Sequence, residues 1–226
     1  TKYTTEGQNG GEVFIGADKD LTVKDSLIMT AGSKGQPEGS NAGAVRIYSY
    51  GGTAKADNSK ILANGDARIL SSNKVELNDS LVRAYNSVDT SDKTEIEIAG
   101  ADEVKIHNSV THSEGDTRIS SAYSDGELSG NIIISSDVDG QTVIASGDKL
   151  SIQGKNTKIA DSSLVYKDLK FYGDDTTGLN NVTIAGNTTF SPITNDNKIS
   201  GDVNIETNGN LTFDNANVKR AAYSLK

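Results

Sequence analysis

Residues 202–213, DVNIETNGNLTF, place apolar side chains at Val203, Ile205, Leu211 and Phe213, as two pairs separated by five residues. The same spacing recurs in three other stretches, at Val13/Ile15/Leu21/Val23, Ala67/Ile69/Val75/Leu77 and Ile96/Ile98/Val104/Ile106. Weaker copies are Thr142/Ile144/Leu150/Ile152 and Val182/Ile184/Phe190, which breaks at Pro192. Alternation interrupted by a short polar segment predicts two short strands, each with one face toward a core.

A unit this small cannot bury its own apolar face, so it must stack against another copy, as the repeats of a solenoid do. The second apolar position of each predicted first strand supports stacking, because all but one are Ile: Ile15, Ile47, Ile69, Ile98, Ile119, Ile144, Tyr166, Ile184 and Ile205. β-Branched side chains suit a pleated buried surface. The sequence therefore predicts a single file of isoleucines, with neighbours about 4.8 Å apart.

Two kinds of corner separate the predicted strands. Before the first strand stand Gly11, Gly43, Gly65, Thr94, Gly115, Gly140, Ser162, Asn180 and Gly201, and this Gly-rich set predicts a positive φ. After the second strand stand Asp25-Ser26, Asn58-Ser59, Asp79-Ser80, Asn108-Ser109 and Asn215-Ala216. Short Asx and Ser side chains bond local backbone and can stack as a ladder.

These patterns predict an all-β fold, a right-handed parallel β-helix with about nine turns of three short strands. Residues 1–10 are interpreted as a disordered or leading segment, 11–218 as the parallel β-helix, and 219–226 as a partial further turn or a short helical tail. An antiparallel β-sandwich is the alternative fold, but it gives no reason for in-phase copies.

Composition narrows the functional classes. The net charge of −9 opposes binding to nucleic acid or anionic lipid, and no Lys/Arg run offsets it. The absence of Cys removes disulfides, thiolate metal sites and cysteine nucleophiles. No apolar run is long enough for a transmembrane helix. Because Thr1 stands at the first position, the chain is interpreted as a mature product or, in preference, a piece of a longer protein.

The units GDVNIETNGNLTF (201–213), GDARILSSNKVEL (65–77) and GEVFIGADKDLTV (11–23) resemble the degenerate repeats of filamentous haemagglutinin-like exoproteins. These are large adhesins of bacterial two-partner secretion and include the high-molecular-weight adhesins. The resemblance covers residues 11 to about 218. It implies a secreted or cell-surface fibre, exported through an outer-membrane transporter and used in attachment or aggregation, and it transfers no catalytic residue.

Candidate metal sites are few. Asp137-Val138-Asp139-Gly140 imitates part of a calcium loop, but Ser135 and Ser146 fall where that loop needs carboxylates. Asp174-Asp175 and Asp18/Asp20 are interpreted as solvated turns. The only histidines, His107 and His112, lie near Glu103, Glu114 and Asp116, and two exposed edge histidines are preferred to a zinc site. We therefore assign no metal-binding, cofactor-binding or catalytic residue.

Other candidate sites lie on the surface. Loops 33–41, 85–93 and 174–180 and the tyrosines Tyr48, Tyr50, Tyr85 and Tyr123 are candidates for ligand contact. Sequons begin at Asn78, Asn181, Asn187 and Asn210, although a chain rich in Asn, Ser and Thr forms sequons by chance.

The sequence thus predicts a non-enzymatic structural or adhesive segment of a bacterial surface exoprotein, with a cell-surface receptor or glycan as partner and no membrane insertion. A β-helical domain that binds or degrades polysaccharide is one alternative, although no Trp is present for sugar stacking. A self-assembling filament subunit is the other.

Overall fold

The computed structural model describes residues 2–5, 11–30, 43–85, 93–122, 127–172, 177–193, 203 and 205–220. All secondary structure in these ranges is β-strand. The strands are β1 (Lys2–Thr5), β2 (Val13–Ala17), β3 (Leu21–Lys24), β4 (Leu27–Thr30), β5 (Val45–Ser49), β6 (Thr53–Asp57), β7 (Lys60–Ala63), β8 (Ala67–Ser71), β9 (Lys74–Asn78), β10 (Leu81–Ala84), β11 (Ile96–Gly100), β12 (Glu103–His107), β13 (Val110–Ser113), β14 (Thr117–Ser120), β15 (Asn131–Ser135), β16 (Thr142–Ser146), β17 (Lys149–Gln153), β18 (Asn156–Ala160), β19 (Ser162–Tyr166), β20 (Asp168–Lys170), β21 (Asn181–Pro192) and β22 (Leu211–Arg220).

From β1 to β20, each strand pairs with the strands three positions before and after it, and every strand pair is parallel. One sheet of seven strands has the order β2-β5-β8-β11-β14-β17-β20. The other strands form a sheet of 15, in which β21 is long enough to pair with both β18 and β19. Stacked parallel sheets of this kind are consistent with a parallel β-helix or solenoid and do not fit an antiparallel sandwich.

The predicted isoleucine file is confirmed for its first five members. Cα partners in adjacent strands are Ile15 and Ile47, Ile47 and Ile69, Ile69 and Ile98, and Ile98 and Ile119. From Ile47 onward these side chains are no more than 2% exposed. A column of identical β-branched side chains therefore lies inside the stack.

The prediction is wrong for the last four residues assigned to that file. Ile119 pairs with Ile152, whereas Ile144 pairs with Thr111 and Leu164 in the larger sheet. The error arises between β14 and β15, where ten residues replace a short corner, so that β16 becomes the third strand of its repeat. Alternation looks the same in every strand, so spacing alone could not detect the change of phase.

The same shift displaces the three remaining predictions. Tyr166 pairs with Pro192, and Ile184 pairs with Ile159 and Phe213, all within the larger sheet. Ile205 lies outside any strand. At the start of the chain, Lys2–Thr5 form a strand that pairs with β4. Residues 221–226, which include most of the proposed tail, lie outside the described part of the chain.

The positive φ angles occur mainly at the other corner. Asp25, Asn58, Asp79, Asn108, Asp161 and Asn215 adopt φ between 44° and 52°. Of the predicted glycine corners, Gly43 has a positive φ, but Gly11, Gly65, Gly115 and Gly140 do not. Asn and Asp visit the left-handed region because their short polar side chains bond nearby backbone, which explains the choice of residue.

Candidate functional site

A ladder of hydroxyl groups lines the Asx-Ser corner. The backbone N–H of Ser59 donates to Ser80 Oγ at 3.1 Å, and that of Ser80 donates to Ser109 Oγ at 3.0 Å. Ser109 N–H in turn reaches Thr142 Oγ1 at 3.4 Å. Each serine Oγ also donates to the carbonyl two residues before it, for example Ser80 to Asn78 at 2.8 Å. Buried polar groups are thus satisfied between repeats, which stiffens the scaffold.

Asx side chains form a second, exposed ladder beside the first. Asn58 Nδ2 donates to Asp25 Oδ1 at 2.8 Å, and Asn108 Nδ2 donates to Asp137 Oδ2 at 3.1 Å. The predicted stacking of Asx and Ser corners is confirmed by these contacts. Both ladders explain the residue choice at this corner without a ligand.

His107 sits at the edge of this corner and contacts two groups from the next repeat. Its Nδ1 lies 3.1 Å from Ser135 Oγ, and its Nε2 lies 3.2 Å from Asp137 Oδ2. The hydrogen bonds from Asn108 and then His107 hold the pKa of Asp137 below its usual value. The Asp137 side chain is 71% exposed, so water screens the interaction with the imidazole.

A groove of about 270 Å³ opens at a different corner. It is lined by His112, Ser113, Glu114, Ala145, Ser146, Gly147, Val165, Lys167 and Ile193. The outward positions of β13, β16 and β19 supply its floor, because His112, Ala145 and Val165 occupy one register. Sequence reasoning missed this groove, since residues 112 and 193 are brought together only by the pairing register.

The electrostatics of the groove favour a neutral imidazole. Burial, and then the positive charge of Arg83, hold the pKa of His112 below its usual value, although Glu114 opposes them. His112 at neutral pH can therefore both donate and accept a hydrogen bond. The carboxylate of Glu114 and the ammonium of Lys167 add one charge of each sign. Such a lining can hold a small polar ligand against apolar side chains.

The two histidines do not converge. His107 belongs to the Asx-Ser corner and His112 to the groove, and both are half-buried, so the prediction of two exposed histidines is wrong. Within the described ranges, no group of three or more His, Asp or Glu side chains could hold a metal ion. Glu103 instead pairs with Lys74 at 3.7 Å, and Asp116 accepts the N–H of Lys149 at 3.1 Å.

Three aromatic side chains meet on the outer face of the seven-stranded sheet. Phe14 and Tyr48 pack edge to face with ring centroids 5.5 Å apart, and Tyr48 and Tyr50 do so at 6.3 Å. Tyr50 is 57% exposed and Tyr48 is half-buried. Tyr85 follows β10 in the larger sheet. The guanidinium carbon of Arg83 lies over the ring of Tyr85, 4.5 Å from the ring centroid. We call Phe14, Tyr48 and Tyr50 the aromatic platform.

Other predicted positions are only partly described. Loop 33–41, residues 86–92 and 174–176, and Tyr123 lie outside the described residues. Asp20 Oδ1 accepts the N–H of Thr53 at 2.7 Å, which gives it a structural partner. Of the sequon asparagines, Asn78 donates to Asp57 at 2.9 Å, whereas Asn187 and Asn210 are exposed.

Comparison of the chain with protein-family models, curated proteins and solved structures found no match. Among the described residues, no helix has the length and apolar character needed to cross a membrane.

Proposed function

We propose that this chain is a non-enzymatic structural and adhesive segment of a secreted bacterial surface exoprotein, built as a right-handed parallel β-helix. The observation that carries the proposal is the in-register parallel pairing of every third strand, from β2 to β20 in the smaller sheet. Repeats that contact only their neighbours give an elongated scaffold, which suits a fibre that holds a binding surface away from a cell. The predicted count of about nine turns stays a prediction.

Features of the sequence support the same proposal. The units that begin at Gly11, Gly65 and Gly201 resemble repeats of filamentous haemagglutinin-like exoproteins. The absence of Cys fits a chain that crosses an oxidising compartment unfolded, where a disulfide could block export through an outer-membrane transporter. The expected partner is a receptor or glycan on a host cell or a neighbouring bacterium.

Adhesion can be tested with latex beads coated with the purified chain and applied to epithelial monolayers and to bacterial cells. Beads that carry the native chain should be retained. Beads that carry Ile98→Asp should not, because a carboxylate at a position that is fully buried disrupts the scaffold. Lys158→Gln is the matched control, at an exposed position beside a buried one in β18 of the larger sheet. Equal retention of native and Ile98→Asp beads would contradict an adhesive role for the folded chain.

The groove favours a second candidate of a different class, a polysaccharide-processing domain. Half-buried His112 and Glu114 both line the groove, and an imidazole and a carboxylate are groups suited to proton transfer. Purified protein incubated with polysaccharides would then release reducing ends or unsaturated products. Glu114→Gln would abolish that release, whereas Glu97→Gln, which lies on the other sheet, would not. Detection of such an activity would replace the non-enzymatic proposal.

A further inference from the structure

The aromatic platform brings three aromatic rings together on one outer face. Among the described residues outside the platform, Phe213, at 56%, is the one exposed aromatic side chain. The sequence has only 8 Tyr and 4 Phe, and Phe171, Phe190 and Tyr166 are at most 2% exposed. Phe14 and Tyr50 are instead 52% and 57% exposed. Contiguous apolar surface exposed to water on a soluble protein commonly marks an interaction site.

The three rings pack against one another edge to face. Phe14 and Tyr48 are inclined at 80°, and Tyr48 and Tyr50 at 88°, which is the favourable edge-to-face arrangement. Gly16, the Cα partner of Tyr48, forms the floor beneath them. A Cβ at Gly16 would lie 2.9 Å from Phe14 Cε1 and 3.4 Å from Tyr50 Cε2, so both rings lean over the bare backbone.

Hydrogen-bonding groups border the platform along the adjacent register. Arg46 is the Cα partner of Phe14 and pairs with Glu12 at 2.8 Å. Arg68, the next residue in that register, pairs with Glu97 at 3.5 Å. These ion pairs supply several donors and acceptors on a partly exposed face, while their charges offset each other.

We infer that the aromatic platform binds a neutral, β-linked hexopyranose chain. Pyranose rings with equatorial hydroxyls expose C–H groups on their faces, which pack on aromatic rings, and their hydroxyls hydrogen-bond at the edges to Arg and Glu. Because neighbouring rings are inclined at 80° and 88°, a pyranose would pack on the exposed face of one ring at a time, and an extended sugar chain can reach an open sheet face. The net charge of −9 repels polyanions, and Arg46 and Arg68 are already paired with carboxylates, so a neutral glycan is favoured. This inference rests on the proposed adhesive function and names its partner.

Fluorine NMR gives a direct test because each tyrosine reports its own surroundings. The full chain is labelled with 3-fluorotyrosine, and the eight resonances are assigned with single Tyr→Phe variants. Cellohexaose and, in parallel, chitohexaose are added as neutral β-linked ribbons. The resonances of Tyr48 and Tyr50 should shift, and that of Tyr85 should not. Absence of a shift at Tyr48 and Tyr50 with both sugars overturns the inference.

Substitutions distinguish sugar binding at the aromatic platform from nonspecific binding to other exposed apolar side chains. Phe14→Ala and Tyr50→Ala should each weaken binding about tenfold, since exposed aromatic side chains carry much of such interfaces. Gly16→Ala should also weaken it, because the new Cβ displaces the ring of Phe14 without removing it. Leu179→Ala, at a residue that is 63% exposed elsewhere, should leave binding unchanged. Circular dichroism verifies that each variant folds, and an equal loss with Leu179→Ala would overturn the assignment.

Two further outcomes are informative. Binding to dextran sulfate but not to the neutral sugars would overturn the inference of a neutral glycan. Failure of this site is also distinguishable from failure of the proposed function. Retained bead adhesion without fluorine shifts removes the platform as the binding surface, whereas shifts without bead adhesion would contradict the adhesive role.

Discussion

Ser80 Oγ accepts the backbone N–H of Ser59 at 3.1 Å and donates to the carbonyl of Asn78 at 2.8 Å, so one hydroxyl joins two repeats. Ser80 is only 4% exposed. Water therefore cannot easily replace the hydroxyl as partner of these groups. The same arrangement recurs at Ser59 and Ser109, which makes the corner a continuous polar seam inside a largely apolar stack.

Replacing Ser80 with Ala should destabilise the fold by about 1–3 kcal/mol, because Ser59 N–H loses its buried acceptor. The urea midpoint of the far-UV circular dichroism signal measures the loss. Ser163→Ala is the matched control, since Ser163 is half-buried in β19, and its effect should stay within about 0.5 kcal/mol. Equal midpoints for the two variants would show that the hydroxyl ladder contributes little.

The left-handed corner should respond differently to Ala and Gly. Asn58 has a φ of 44°, and its Nδ2 donates to Asp25 at 2.8 Å. Asn58→Ala should cost about 1–2 kcal/mol, because a Cβ without a local hydrogen bond disfavours this conformation. Asn58→Gly loses the side-chain contact but not the backbone preference, so it should be the more stable of the two. A lower thermal midpoint for the Gly variant would contradict this account.

The sequence predicts that the repeats stack in parallel, but it does not predict which sheet each strand joins after Ile119. Parallel stacking and the partnership of Ile69 with Ile98 followed from spacing, because recurring alternation can be satisfied only by copies that lie on each other. The assignment of strands to sheets after Ile119 could not be predicted, because a ten-residue connection and a two-residue connection leave the apolar pattern of the strands unchanged. Alternation reports which side faces the core, not which sheet a strand joins.

The candidate surfaces were predictable only in part. Tyr48 and Tyr50 were recognised from composition and position, but Phe14 looked like any other outward residue between Val13 and Ile15. Its contact with Tyr48 depends on the register of two strands 32 residues apart in sequence, as the pairing of Phe14 with Arg46 shows. The groove at His112 needed three such registers, which no local pattern encodes.

Cysteine cross-linking distinguishes the two possible phases after β14, and the chain has no Cys of its own to interfere. Arg118 and Ser151 are Cα partners, whereas Val143 pairs with Val110 in the other sheet. Adjacent strands lie about 4.8 Å apart, which is within the Cα separation that a disulfide spans. The double variant Arg118→Cys/Ser151→Cys should therefore oxidise to an internal disulfide.

Arg118→Cys/Val143→Cys is the control for that experiment, because it would cross-link only if Ile144 followed Ile119 in the isoleucine file. Free-thiol titration and non-reducing electrophoresis measure both variants under the same oxidant. A disulfide in the second variant and free thiols in the first would reverse the phase assignment described above.

Acid should stabilise one corner of the fold, through Glu95. Partial desolvation of its carboxyl, and then the nearby carboxylates of Asp66 and Asp116, raise the pKa of Glu95 in the folded chain. A folded-state pKa above the unfolded value means that ionised Glu95 reduces stability at neutral pH, and that this cost disappears below the unfolded pKa. Glu95→Gln should thus raise the thermal midpoint at pH 7 and leave it unchanged near pH 3. The gain should be below about 1 kcal/mol, because solvent screens an exposed carboxyl.

Glu97→Gln, two residues further along the chain, should change the thermal midpoint at pH 7 in the opposite direction. It removes the pairing of Glu97 with Arg68 at 3.5 Å, so it should lower the thermal midpoint slightly at pH 7. The decisive result is whether the thermal midpoint changes in opposite directions in the two variants. Removing one negative charge from a chain of net charge −9 would by itself raise the midpoint of both. If both variants rise equally at pH 7, then overall charge, and not the stacking of Asp66, Glu95 and Asp116, determines the acid response.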